Sequence, residues 1–266
     1  QQPTTPIYPI DTVIISQYRV TDRSRVLQTP TSPAHRNTRR KICTKRRSPI
    51  RTNQVALNQN PPNRPAETAK VFEAIRKVRP TRLYIAADAP RPNREDDDKL
   101  CGEVKSIVSA IDWPCTVKHL YQEKNLGCRF GPVAAMDWFF ENEECGIVLE
   151  DDCLPKEDFF TFCTEMLERY NNDDRIFAIC GRNPLGKAEV NSSYLFSRTF
   201  KEWGWASWRR AWKHNKVDVA TFDKAVEENI FERLYEDKVM AKYLYDTNKI
   251  VHYDQHVAWD YVWQFN

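Results

Sequence analysis

The chain has 266 residues, of which 41% are hydrophobic and 12% aromatic, enough to build one α/β domain of ordinary size or two small ones. Charged residues are 29% of the total and the mean hydropathy is −0.68, so the composition argues for a soluble protein; no run approaches the roughly 20 apolar residues of a membrane-spanning helix. The net charge of +3 hides an asymmetry: residues 1–60 hold 11 Lys and Arg against two acids, and the rest of the chain holds 29 bases against 35 acids.

Residues 1–60 contain no glycine, are rich in Pro, Thr, Asn and Gln, and carry the basic clusters Arg39-Arg40-Lys41 and Lys45-Arg46-Arg47. No period of 2 or 3.6 persists there, and such a composition buries too little apolar surface to offset its ordering entropy. The expectation is a disordered, basic leader over residues 1–60, outside a folded domain at 61–266. A basic tail is also a candidate for nucleic acid or an anionic membrane. No aromatic residues interleave the cluster, however, so nucleic acid is not an expected partner. Val13-Ile14-Ile15 is too short for the roughly 7–15 apolar residues of a signal-peptide core. Eight cysteines, at 43, 101, 115, 128, 145, 153, 163 and 180, include no C-x-x-C pair. Several fall within apolar patterns, which favours reduced, buried thiols. With Asn191-Ser192-Ser193 taken as a chance sequon, the expected location is cytoplasmic, at most peripheral at the inner membrane surface.

From about residue 64 the pattern becomes periodic. Ala66–Val78 reads as a helix with Thr68, Val71, Phe72, Ile75 and Val78 on one face. Leu83–Ala87 is a short strand ending at Asp88, and Pro90–Asp98 a polar loop. Leu100, Val104, Ile107, Val108 and Ile111 mark a second helix. Thr116–Leu120 is a candidate strand, Lys124–Gly127 a turn and Pro132–Glu141 a third helix. The apolar strand Gly146–Leu149 leads directly into Glu150-Asp151-Asp152. Pro155 suits the first turn of another helix, continued by Phe159, Phe162, Cys163, Met166, Leu167 and Tyr170. Arg175–Cys180 and Ser193–Ser197 are further strands. After residue 200 the chain reads as tryptophan-rich and helical, and the pattern at Trp263-Gln264-Phe265 suggests a domain continuing past Asn266. The alternation predicts an α/β fold with a mostly parallel central sheet flanked by helices.

Three adjacent carboxylates after a buried strand repel one another unless solvent, a helix N-terminus or a cation relieves them. Ligands of open α/β sheets gather beyond the carboxyl ends of strands, where Asp88 also lies. A divalent cation held by one or two carboxylates suits a diphosphate, and hard oxygen ligands suit Mg²⁺ or Mn²⁺. The competing reading has Asp151 and Asp152 cap the helix near Pro155.

Val148-Leu149-Glu150-Asp151-Asp152-Cys153-Leu154-Pro155, followed by Asp158-Phe159-Phe160, resembles the D-x-D segment of the N-acetylglucosaminyltransferase I type. Asn63-Arg64-Pro65, Asn125-Leu126-Gly127-Cys128-Arg129 and Trp203-Gly204-Trp205-Ala206-Ser207-Trp208-Arg209 look like segments of the related bacterial nucleotide-diphospho-sugar transferases. The resemblance spans roughly residues 63–266, with the segments in the expected order. It implies a Rossmann-like GT-A fold and a metal-dependent, inverting glycosyltransferase that uses Mn²⁺ or Mg²⁺. The expected partners are a UDP-sugar donor and a glycan or lipid-linked acceptor. Asp152 would ligate the metal with Glu150 beside it, Asp151 would contact the ribose or the metal's waters, and Asp88 would meet the base. Arg64 and Arg129 would contact nucleotide or phosphate, or else pair with acids on the surface. Asp260, in Trp259-Asp260-Tyr261, would be the catalytic base or a helix cap.

Trp203, Gly204 and Trp205 would form an acceptor platform, with Trp208 and Trp212 as helical core. His252 and His256 lack a third ligand at a recognisable spacing and are read as surface groups. One departure stands out: a strongly apolar first strand should precede Asn63, and only Val55-Ala56-Leu57 is available. A sugar-nucleotide pyrophosphorylase is a second candidate, although its glycine-rich loop has no counterpart before Gly102. A non-catalytic binding protein with a basic tail is a third.

Overall fold

The computed structural model describes residues 13–17, 54–59, 63–182, 193–216, 222–253 and 259–265, with 13–17 and 264–265 described by backbone alone. In chain order the strands are β1 (Val13–Gln17), β2 (Gln54–Gln59), β3 (Arg82–Ala87), β4 (Thr116–Tyr121), β5 (Cys145–Glu150), β6 (Ile176–Cys180), β7 (Tyr194–Ser197) and β8 (Trp205–Trp208). The helices are α1 (Pro65–Val78), α2 (Asp97–Ser109), α3 (Gly127–Asn142), α4 (Glu157–Arg169), α5 (Arg209–Trp212), α6 (Phe222–Glu227), α7 (Ile230–Leu234), α8 (Lys238–Tyr253) and α9 (Trp259–Phe265).

The short apolar run Val55-Ala56-Leu57 is enough for a strand because it is enclosed on every side. β2 lies parallel between β3 and β5, and its apolar residues are at most 7% exposed. The folded region therefore starts ahead of the boundary expected at residue 61, and β1 joins the same sheet between β6 and β7. Isolated hydropathy missed β2 because both its faces and both its edges are covered by partners far along the chain.

The strand order is β4-β3-β2-β5-β8-β6-β1-β7, and four of the seven pairings among the described residues are parallel. The sheet is mixed, with its parallel half at β4-β3-β2-β5. From β2 the chain steps outward through α1 to β3 and through α2 to β4, then returns through α3 to β5 on the other side of β2. The direction of winding reverses between β2 and β5. Such a switch point opens a crevice at the carboxyl ends of its two strands.

Alternating strand residues feed two cores. Val55, Leu57, Ile147 and Leu149 pack with α1, α2 and α4 on one face. Ala56 and Val148 pack with α3, α5 and α9 on the other, in a layer dominated by Trp205, Trp212, Trp259 and Trp263. Among the described residues, seven cysteines form no disulfide, and four of them are buried. Among the described residues, no helix is long and apolar enough to cross a membrane.

Two expectations change. Helix α3 begins at Gly127, five residues before the expected start, because Asp88 on a distant strand accepts the first N–H groups (below). Trp205–Trp208 is a strand rather than helix, antiparallel to both β5 and β6. Four residues are too few for periodicity to separate the two states, and large aromatics fit a covered sheet. Trp208 is buried as core and its indole N–H donates to the Leu167 carbonyl at 3.2 Å. Trp212 is core on α5, as the sequence suggested.

The tryptophan pair provides a test. Trp205 is 0% exposed and Trp203 is 38% exposed. Trp205→Ala is expected to cost about 3–5 kcal/mol in urea unfolding, as truncation of a fully buried aromatic does. Trp203→Ala is expected to change stability by no more than about 1 kcal/mol.

Candidate functional site at the switch point

Strand alternation separates the three adjacent acids. Glu150 follows Val148 onto the α9 side of the sheet, and its Oε1 accepts the indole N–H of Trp259 at 3.1 Å. Asp151 turns to the other side, where Arg64 at the start of α1 donates to its Oδ1 at 2.7 Å. The same guanidinium donates through its other terminal nitrogen to Asp152 Oδ2 at 2.8 Å. A turn closed by the Cys153 N–H and the Glu150 carbonyl holds the three carboxylates at the strand end. Helix α4 begins beyond them at Glu157, with Lys156 as N-cap and no side-chain capping bond. Asp151 and Asp152 therefore do not cap that helix.

The arrangement crowds acids together away from water. Burial, followed by the Asp152 charge, pushes the Glu150 carboxyl up to about 8. Burial also raises Asp151 to about 7 against the pull of Arg64. Asp151 is 1% exposed, and its Oδ2 has no hydrogen-bond partner. A buried, raised and incompletely paired carboxylate is what a cationic or hydrogen-bonding ligand would relieve. Ligand atoms of Glu150, Asp152 and Cys153 lie within 4.8 Å of one another. Burial pushes the Cys153 thiol well above its ordinary range, so it stays protonated and points to Asp152 Oδ1 at 3.6 Å. The remaining donors are carboxylate oxygens. Glu150 and Asp152 could therefore hold a hard divalent cation, and nothing in the donor set distinguishes one such ion from another.

A second pair of acids joins the cluster from the far end of the chain. Asp260, in the first turn of α9, is 7% exposed, and burial raises its carboxyl. The same carboxylate takes backbone N–H groups of Asp260 and Tyr261, so it caps α9 while remaining within the cluster. Glu202, just ahead of β8, is raised to about 7 by burial and then by Asp260, and its Oε2 has no hydrogen-bond partner. Glu202 also acts electrostatically on Glu150. The sequence reading missed Glu202; its one signal was an acid lying between Phe200 and Trp203 in an aromatic run. Trp259 was also missed, although the bond from its indole to Glu150 is what brings α9 to the end of β5.

The other expected site residues have different tasks. Asp88 is 5% exposed and accepts N–H groups of Ala89, Leu126 and Gly127 at 2.8–2.9 Å, fastening the 124–127 turn to the end of β3. These backbone donors reach both of its oxygens, a structural role beside the nucleotide-base contact expected of it. Arg129 is buried in α3 and donates to the Val251 carbonyl at 3.4 Å, tying α3 to α8. Trp205 cannot serve as a platform for a sugar, being wholly enclosed and stacked on Trp259 at 5.7 Å. Gly204 adopts φ 70°, and its carbonyl accepts the Gly181 N–H at 2.7 Å, which is a backbone reason for glycine. Trp203 keeps an open face, and the Arg182 guanidinium lies 3.9 Å from its ring centre. His252 packs against Phe222 with ring centres 5.2 Å apart, and His256 and Asn191 lie outside the described residues.

Beside the crevice, a cleft of about 920 Å³ is lined by Arg91, Arg94, Asp98, Lys124 and Asn125, among others. Its wall is rigid at one point: Arg91 forms a bidentate pair with Asp97, which also accepts from Asn63 next to Arg64. The Arg91 hydrogen bonds hold the Asp97 carboxyl well below the usual range.

Compared with known proteins, the chain matches no family model and no curated protein.

The raised carboxyls fix the sign of a pH dependence. In EDTA, Glu150 and Asp151 hold protons in the folded state that the unfolded chain has released. Their contribution is most favourable below the ordinary values of 4.5 and 3.8, and is lost as pH rises towards about 8 and about 7. The melting temperature is therefore expected to fall between those limits, and Glu150→Gln to flatten the decline. A melting temperature that rises over that range in both proteins would contradict the burial of these groups.

Proposed function

We propose that the chain is a metal-dependent glycosyltransferase of the GT-A type, moving a sugar from a nucleoside diphosphate, with UDP as the expected nucleotide, to a hydroxyl acceptor by inversion. The observation that carries this reading is the cluster of carboxyls at the β2/β5 switch point, with Asp151 and Asp152 clamped by Arg64 and Asp260 linked to Glu150 through Glu202 and the neighbouring Trp259. The ordered resemblance to nucleotide-diphospho-sugar transferases supports the same chemistry. The absence of a glycine-rich loop after β2, where Asn60-Pro61-Pro62 stand, weighs against a sugar-nucleotide pyrophosphorylase.

In this reading Asp152, with Glu150 beside it, would hold a Mn²⁺ or Mg²⁺ ion, which would supply positive charge to the departing diphosphate. Arg64 is placed to exchange part of its pairing with Asp151 and Asp152 for a phosphate oxygen, a ligand its planar guanidinium suits. The neighbouring cleft has room for a nucleoside, with Arg91 and Lys124 on its walls. Asp260 accepts the proton of the attacking hydroxyl. Burial raises its carboxyl against the pull of its own backbone N–H groups and of Lys201, and its charge in turn raises the neighbouring Glu202. Trp203 offers its open face to a sugar, a narrower platform than the sequence suggested.

Two measurements test the proposal. Calorimetric titration of UDP in the presence of Mn²⁺ is expected to show binding that disappears in Asp152→Ala with an unchanged far-ultraviolet dichroism spectrum. Equal binding by the variant would remove Asp152 from the site. Asp260→Asn is expected to retain UDP binding and to lose at least about 100-fold in sugar transfer, the scale of a lost general base; near-normal transfer would remove the base.

A further inference from the structure

Helix α8 buries Ala241, Asn248 and Val251 and leaves four apolar side chains in solvent. Val239 is 79% exposed, Tyr243 56%, Ile250 59% and Tyr253 72%. At 3.6 residues per turn these four positions fall within a stripe about 80° wide that runs the length of the helix. Lys238, Lys242 and Lys249, all exposed, follow one edge of that stripe. Asp246 lies within it and pairs with Lys242 one turn earlier. Scattered exposed apolar residues need no explanation, but a continuous stripe on one helix marks a contact surface.

Charge selects the partner. Across a two-fold axis, an antiparallel pair of α8 helices centred on the stripe would set Asp246 against its own copy, and so would a parallel pair in register, because Asp246 lies near the middle of the stripe. Like charges opposed across an apolar contact disfavour association. Three lysines beside an apolar stripe instead complement an anionic surface, and tyrosines suit the boundary between headgroups and acyl chains. We propose that α8 docks the protein on an anionic lipid surface, its apolar stripe entering the interface and Lys238, Lys242 and Lys249 meeting the phosphate headgroups. Val251 of α8 packs against Val262 of α9, so the docking helix directly supports the helix that carries Asp260. The inference stands whether or not the acidic crevice transfers sugar, and its test uses neither nucleotide nor metal.

The full chain is sedimented with vesicles of phosphatidylcholine alone, or of phosphatidylcholine mixed with phosphatidylglycerol. Binding is expected on the anionic vesicles and to weaken with added salt. It is expected to fall at least about tenfold when Val239, Tyr243, Ile250 and Tyr253 are all changed to Ser, and also when Lys238, Lys242 and Lys249 are all changed to Gln. Both sets are exposed, so dichroism and melting temperature should be retained. Failure to bind, equal binding to neutral vesicles, or binding unchanged in either variant would overturn the proposal. So would light scattering that shows a dimer which the serine variant converts to monomer, because the stripe would then belong to a second copy.

Discussion

A single guanidinium sets the geometry on which the candidate site depends. Arg64 stands at the first turn of α1 and spans Asp151 and Asp152, so the end of β5 and the start of the helix after β2 are held together. The pair is not a simple stabiliser. Asp151 is almost completely buried, and its carboxyl remains raised despite the cation, so removal from water outweighs the attraction. A buried acid held in this state is a candidate for a ligand to complete. In the proposed reading a cation and a polyanion would complete this cluster, with Arg64 supplying part of the positive charge.

The opposite wall is set by packing. Trp205, Trp212, Trp259 and Trp263 interlock with Phe200 and Phe140 under the sheet. Within that layer Trp259 has two jobs: its ring stacks on Trp205 and its N–H reaches Glu150. Aromatic rings of this size lose little conformational freedom relative to the area they bury, which makes them rigid supports. Asp260 follows Trp259 directly, so the aromatic layer determines where that carboxylate stands. A sequence segment that reads as a ligand platform is therefore mostly foundation, and Trp203 alone of its indoles keeps an open face.

The asymmetry of the sheet explains why the acids gather where they do. In its parallel half, successive strands deliver their carboxyl ends to one edge, and the reversal between β2 and β5 opens the crevice there. In the other half, β8 runs antiparallel between β5 and β6 and places the segment ahead of it, with Glu202, at that same edge. Carboxylates from residues 150–152, 202 and 260 thus converge, although more than a hundred positions separate the first from the last.

Much of this plan was legible in the sequence. The apolar faces of α1, α2 and α4, the strands at 82–87, 145–150 and 176–180, and the acids at the end of a buried strand all follow from local periodicity, because burial repeats with the period of the backbone. Arg64, Glu150, Asp151, Asp152 and Asp260 were named as a set through motif resemblance; the structure pairs Arg64 with Asp151 and Asp152 and links Asp260 to Glu150 through Glu202. What depended on long-range contact was not legible. Gln54–Gln59 becomes an interior strand because its two neighbours in the sheet cover a run of three apolar residues. Asp88 caps a helix 38 residues away, and Trp205 becomes core by strand pairing. Glu202 has its carboxyl raised by burial and then by the charge of Asp260, far along the chain. Local pattern records which face of an element is buried; the partner that buries it, and so the charge a buried acid can keep, was decided only by the tertiary structure.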